Sequence, residues 1–165
     1  MIAPAEVLVR IDGELPQGID ALAAAALAEG YSHIERLAEE WRNNTVRFAA
    51  KGCVLLAAFR PDQRLVPVLA AIGGLTRDFI DASRLRMRRF YVRPEDRRQG
   101  LGRRLATALL QEGLSAGFTL VLHAGDARAA AFWEHLGFVA TGAKNPTHIF
   151  PASSESGPES TKTPA

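Results

Sequence analysis

Cysteine is almost missing from this chain of 165 residues: Cys53 stands alone, inside the apolar run CVLLAAF. An intramolecular disulfide is therefore excluded, no metal site can rest on cysteine spacing, and the thiol is expected in the core. Long apolar runs are missing too. No stretch approaches the roughly 18 residues a membrane span needs. The segment MIAPAEVLVRIDGE has no basic stretch followed by an apolar one. Neither a span nor a signal peptide is predicted, and the expected location is cytoplasmic. Charge of one sign is also scarce, since the net charge is only +2 at neutral pH. That is too little for a chain that grips nucleic acid by bulk basicity. Lysine is rare, so the basic residues are nearly all arginines, and their excess lies between Arg84 and Arg104. No G-x-x-x-x-G-K-[ST] phosphate loop occurs, and Leu105 stands where a dinucleotide fingerprint needs its third small residue.

What is present suits a globular α/β protein. Hydrophobic residues make up 47% and charged residues 23%, enough for one domain, expected over residues 1–150. The remainder, 151–165, reads PASSESGPESTKTPA and is expected to be a disordered tail. Alternation and branched residues predict strands at 6–11, 52–59, 65–74, 84–92, 118–123 and 147–150. Helical spacing predicts helices at 19–29, 32–41, from about 100 to between Gly113 and Gly117, and at 126–138. Turns or loops are expected at 60–63 and 75–83. Pro67 cannot donate to a ladder and belongs at an edge or a bulge. The strand–helix–strand unit from 84 to 123 has the form of a parallel crossover, whereas the earlier strands are antiparallel.

One segment demands an explanation. RPEDRRQGLGRRL (93–105) crowds five arginines around two glycines, directly after a strand and where a helix begins. The guanidiniums repel, and no Ser, Thr, Asp or Asn immediately precedes Gly100 to cap the helix. The first N–H groups of a helix are unpaired and its N-terminal end is positive. A bound anion would cap the helix and relieve the arginines together, and glycines would let it approach the backbone. A phosphate group is the expected ligand.

The loop resembles that of the GNAT acyltransferases, which use acetyl-coenzyme A. Their signature R/Q-x-x-G-x-G/A is matched by Arg97, Arg98, Gln99, Gly100, Leu101 and Gly102, and YVRPEDR (91–97) resembles the V-x-P-x-x-R approach. A second motif, N-x-x-A-x-x-F-Y-x-x-x-G-F, is met by Asp126, Ala129, Phe132, Trp133, Gly137 and Phe138. The resemblance covers roughly residues 6 to 150. It implies a GNAT-like mixed, mostly antiparallel sheet with a central β-α-β unit and helices on both faces. By it, backbone N–H groups from Arg98 to Arg103 hold the coenzyme pyrophosphate, helped by arginines from Arg97 to Arg104. Phe90, Tyr91 and Val92 pair with the pantetheine arm, and Asp126 and Trp133 lie on the coenzyme. An amine would attack the thioester directly, through a tetrahedral intermediate, with no metal.

Two departures from the family pattern bear on mechanism. Trp133 stands where many relatives carry a tyrosine that protonates the leaving thiolate, and an indole does not give up its proton at neutral pH. The strands at 84–92 and 118–123 carry no carboxylate to serve as base. Candidates for it are His33, Glu40, Asp78, His123 and His148. His123 ends a central strand near the expected acyl site, and Tyr91 is the other hydroxyl near the coenzyme arm, although alternation turns it away from Phe90 and Val92. The resemblance implies a small-molecule or peptide amine as acceptor, docked on the first two helices, and homodimers occur in the family. An acyl-coenzyme A-binding module with little turnover is the alternative reading.

Overall fold

The computed structural model describes residues 6–45 and 48–151. They fall in two compact units that divide between Leu120 and Val121. The chain is mixed α/β, with seven strands and four α-helices among the described residues. In the first unit, β1 (Val7–Arg10), β2 (Val54–Pro61), β3 (Pro67–Arg77) and β4 (Arg84–Val92) are successive antiparallel neighbours, and β5 (Thr119–Leu122) follows β4 in the order. The helices of this unit are α1 (Ile19–Ala28), α2 (His33–Arg42) and α3 (Leu101–Ser115). The second unit holds the end of β5, α4 (Ala127–His135), β6 (Val139–Ala140) and β7 (His148–Phe150), in the order β5-β7-β6. No helix of the described residues is long and apolar enough to cross a membrane.

Several expectations need correction. The β2 strand runs on through Pro61, so the turn expected at 60–63 begins at Asp62, whose carboxylate accepts from the Arg64 and Val66 amides at 2.8 and 2.9 Å. Leu75–Arg77 belong to β3 rather than to the following loop, because they pair with Leu85–Met87 of β4. The helix α3 ends at Ser115, between Gly113 and Gly117 as expected, and Gly113 itself lies where a side chain would meet Leu120 Cδ2 at 2.7 Å. The strand β6 was not anticipated, being too short to alternate. Pro67 occupies the first position of β3, where its missing N–H matters least. The segment 152–165, expected as a tail, lies outside the described residues.

Amphipathic spacing puts Leu101, Leu105 and Leu109 of α3 in the core on one face of the sheet. On the other face Ile34, Leu37 and Trp41 of α2 are buried, with Phe48 stacked on Trp41 at 6.2 Å between ring centroids. The pair Gly73-Gly74 shows how tightly both faces close. A Cβ on Gly73 would come within 2.7 Å of the Phe90 ring and 3.0 Å of Leu109, and one on Gly74 within 2.6 Å of the Phe48 ring. Gly73→Ala is therefore expected to cost about 1–3 kcal/mol through overpacking. Urea unfolding would measure it, with Gly13→Ala as control, since a Cβ at Gly13 meets nothing within 4 Å.

At the turn between β3 and β4 lies a buried ionic cluster. Asp78 accepts from Arg84 Nη2 at 2.7 Å and from Arg86 Nε at 2.8 Å, and its side chain is fully shielded from solvent. Two guanidiniums on one carboxylate lock the start of β4, the strand that carries the candidate site.

Candidate functional site

The site begins with an irregularity in β4. Ile72 pairs with Tyr91 and Gly74 with Arg88, so Arg89 and Phe90 together oppose Gly73. This is a β-bulge, and Arg89 takes φ 57° to make it. Phe90 turns its ring onto Gly73 and Leu109, toward α3. Tyr91 points to the opposite side, where it forms an edge-to-face trio with Tyr31 and His33 at centroid separations of 5.8–6.4 Å. The expectation that Tyr91 faces away from Phe90 thus holds in the geometry.

After Val92 the chain makes a single 3-10 turn, Pro94–Asp96, and reaches α3 through two left-handed residues, Arg98 (φ 63°) and Gly100 (φ 88°). Left-handed geometry costs a non-glycine residue about 1–2 kcal/mol. Four described non-glycine residues adopt it. Asn44 and Leu65 follow a helix and tip a hairpin, where such geometry is common. Arg89 and Arg98 instead bracket the end of β4, and strain of this kind gathers at functional positions. Gly100 caps α3 with no side-chain hydrogen bond. Its carbonyl accepts from Arg104 at 3.0 Å, while the amides of Leu101, Gly102 and Arg103 meet no acceptor among the described residues. Three donors therefore point out of a positive helix end.

The arginines of this segment are not five equal charges. Arg93 Nε donates to Asp96 at 2.6 Å. Arg97 binds Glu29 through both terminal nitrogens, at 2.9 and 2.6 Å, and its Nε reaches the Val92 carbonyl at 2.9 Å. Arg104 pairs with Glu6, which also holds Arg60 at 2.6 Å, and Arg60 reaches on to Asp96 and the Gln99 amide oxygen. Arg98 and Arg103 are exposed and have no side-chain partner among the described residues. Part of the crowding is thus relieved within the chain, a solution the sequence reading did not foresee.

Glu29 sits where α1 stops. Gly30 (φ 90°) ends that helix, with the Tyr31 amide returning to Ala26 at 2.9 Å and the Gly30 amide to Leu27 at 2.9 Å. The carboxylate so placed accepts from Tyr91 Oη at 2.5 Å besides binding Arg97. Burial and this acidic partner raise the Tyr91 pKa well above its ordinary value, so the phenol stays protonated.

His33 opens α2 at the bulge, with Nε2 3.0 Å from the Phe90 carbonyl. A carbonyl only accepts, so Nε2 carries the proton and the neutral ring offers its lone pair at Nδ1. Burial, helped by Arg89 and Arg36, holds the His33 pKa below the ordinary 6.5 despite the opposing carbonyl. The imidazole is neutral at pH 7. Because the folded value lies below the unfolded one, its contribution to stability is complete above pH 6.5 and is lost as pH falls through the folded pKa.

The other candidates lie as follows. Glu40 accepts from Arg89 at 2.8 Å, and Asp78 is locked between Arg84 and Arg86. In the second unit, His123 is exposed just past β5. His148 is buried between Thr147 Oγ1 and Glu134 Oε2, each at 2.8 Å. Asp126 caps α4, accepting from the Ala129 amide at 2.8 Å, and Trp133 is buried edge-to-face against Phe132 and Phe138. Among the described residues no group of three His, Cys, Asp or Glu side chains could hold a metal ion.

Comparison with known proteins agrees with this architecture. No curated protein sequence matches the chain. A protein from Exiguobacterium sp. 255-15, assigned as an acetyltransferase, is 25% identical with a TM-score of 0.76, over 88% of this chain and 93% of that one. An acetyltransferase of the GNAT family from Staphylococcus aureus is similar in fold, with 13% identity and a TM-score of 0.65 over 90% and 94% of the two chains. A GNAT-family N-acetyltransferase from Escherichia coli, solved in complex with coenzyme A, shares 15% identity and a TM-score of 0.64 over 99% and 91%. The model of the acetyltransferase (GNAT) family matches residues 19–138, and with the bulged β4 and the glycine turn in place, the chain belongs to that family.

Proposed function

We infer that this protein transfers an acetyl group from acetyl-coenzyme A to a primary amine. The observation that carries this reading is the run of unpaired amides at Leu101, Gly102 and Arg103, reached through left-handed Arg98 and Gly100 directly after the bulged strand. A pyrophosphate supplies the acceptors those donors lack. Arg98 and Arg103 add charge from the turn, while Gln99 and Arg97 hold its shape through Arg60 and Glu29. The pantetheine arm would run beside Phe90, Tyr91 and Val92, and a backbone N–H at the bulge would stabilise the oxyanion of the tetrahedral intermediate.

His33 is the base this geometry favours. It is neutral, it is fixed by the Phe90 carbonyl at the bulge itself, and its Nδ1 lone pair meets no partner among the described residues. It would take the ammonium proton so that the amine can attack. The thiolate of coenzyme A then leaves, a fair leaving group without a strong acid because a free thiol has a pKa near ~8.5.

Thermal unfolding with coenzyme A, acetyl-coenzyme A and ATP tests the donor. Coenzyme at a hundred times its dissociation constant should add about 2.7 kcal/mol of stability. A shift with both coenzyme species supports the reading, and no shift with either removes it. Thiol release with a panel of amines then tests transfer. His33→Ala is expected to lower kcat by roughly a hundredfold or more. It should also remove the acid limb that His33 gives the pH profile, whereas a merely structural histidine would leave that limb in place.

A further inference from the structure

We propose that Arg88 and Arg36 form an anion-binding subsite on the α2 side of β4, so that the amine acceptor carries an oxyacid group, a carboxylate or a phosphoryl-type anion. The proposal rests on the acyl-transfer reading above and deepens it. Arg84, Arg86 and Arg88 alternate along β4, and Gly74, the partner of Arg88 in register, faces Phe48 and hence α2. Arg84 is paired with Asp78 and Asp81, Arg86 with Asp78, and Glu40 holds Arg89 at 2.8 Å. Arg88 is half-buried, and its side chain donates no hydrogen bond to any described residue. The carboxylate it feels is Glu40, already bound to Arg89.

Arg36 stands one turn after His33 on α2, exposed and without a side-chain partner among the described residues. Its charge acts on both Arg88 and His33. Burial, and then the neighbouring Arg89, Arg86 and Arg36, push the Arg88 pKa below the ordinary arginine value. Glu40 is thus bound to Arg89 and acts on Arg88, while Arg36 brings a further guanidinium charge to both Arg88 and the candidate base. A guanidinium presents paired N–H donors that fit the oxygens of a carboxylate or phosphoryl group. An acceptor held there by its anionic end would bring its amine to the bulge.

The test is calorimetric titration of the full chain, with and without coenzyme A, using β-alanine, 2-aminoethylphosphonate and β-alaninamide. At least one anionic amine is expected to bind about tenfold or more tightly than the neutral amide, as a charge-assisted hydrogen bond would give. The preference between the two acids names the oxyanion. Arg88→Met should abolish the difference, and so should Arg36→Gln, which lies on the surface and leaves the core untouched. Equal binding of acid and amide, a difference that survives both substitutions, or no binding of any probe would overturn the subsite. Binding of coenzyme A itself is read in the same series. If it binds while the amines show no preference, only the subsite falls; if it fails to bind, the donor reading falls on its own.

Discussion

Asp78→Ala is expected to lower the stability of the protein by about 3–5 kcal/mol, the cost of leaving buried charge unpaired. For a chain of this length that corresponds to a drop of roughly 10 °C in Tm. The carboxylate bonds Arg84 and Arg86 together, and the Arg86 side chain is only 5% exposed, so water cannot readily take over. Calorimetry of both proteins measures the loss. A change of less than about 1 kcal/mol would place the cluster with surface ion pairs. The acid side gives an independent check. Burial alone would raise the Asp78 pKa, but hydrogen bonds from Arg84 and Arg86 outweigh it and hold it below the ordinary 3.8. The folded value is the lower one, so this stabilisation is complete above pH 3.8 and lost as pH falls through it. The gap between wild type and variant should therefore narrow at the acid end.

Gly100→Asp is expected to weaken coenzyme A binding by about a hundredfold or more, the equivalent of one or two charge-assisted hydrogen bonds. Space is not the obstacle, because a Cβ there meets nothing within 4 Å. The new carboxylate would instead occupy the amides of α3 itself and repel the pyrophosphate. Its effect on the unliganded protein should be small. The left-handed backbone at φ 88° penalises a side chain by about 1 kcal/mol, and a capping carboxylate returns about as much. Gly100→Ala carries the backbone penalty without the charge and should bind far better than the aspartate variant. Titration of all three proteins with coenzyme A decides it, and equal affinity for wild type and Gly100→Asp would move the pyrophosphate elsewhere.

Much of the fold could be read from local pattern. β4 runs over Arg84–Val92, as alternation and branched residues predict, and Asp126 falls at the cap of α4. The glycine turn was legible because a glycine-opened helix end directly after a strand is itself a local device. The bulge at Arg89 was not, since RLRMRRFYV has no residue that announces it. Its signal lay on the neighbouring strand, where Gly73-Gly74 interrupts an apolar run, and glycine inside a strand marks a bulge or a close approach. The pairing of the arginines was out of reach for a different reason. Glu29 is 68 residues from Arg97 and Glu6 is 98 from Arg104, so only the folded chain brings them together. His33 could be named among five candidates but not singled out, because a histidine at the start of an amphipathic helix reads as solvated until β4 packs against it.

On the acyl-transfer reading proposed above, the internal pairing of the turn arginines has a bearing on product release. A transferase must let go of spent coenzyme at every cycle, and the spent form keeps all its phosphates. Five unpaired guanidiniums around one pyrophosphate would hold substrate and product with equal excess, lowering KM while slowing departure. Glu6, Glu29 and Asp96 withdraw Arg104, Arg97 and Arg93 from that competition and leave Arg98 and Arg103. The acidic residues that steady the turn thereby also limit its grip, and substituting Glu6 by glutamine would free Arg104 for a tighter but slower exchange.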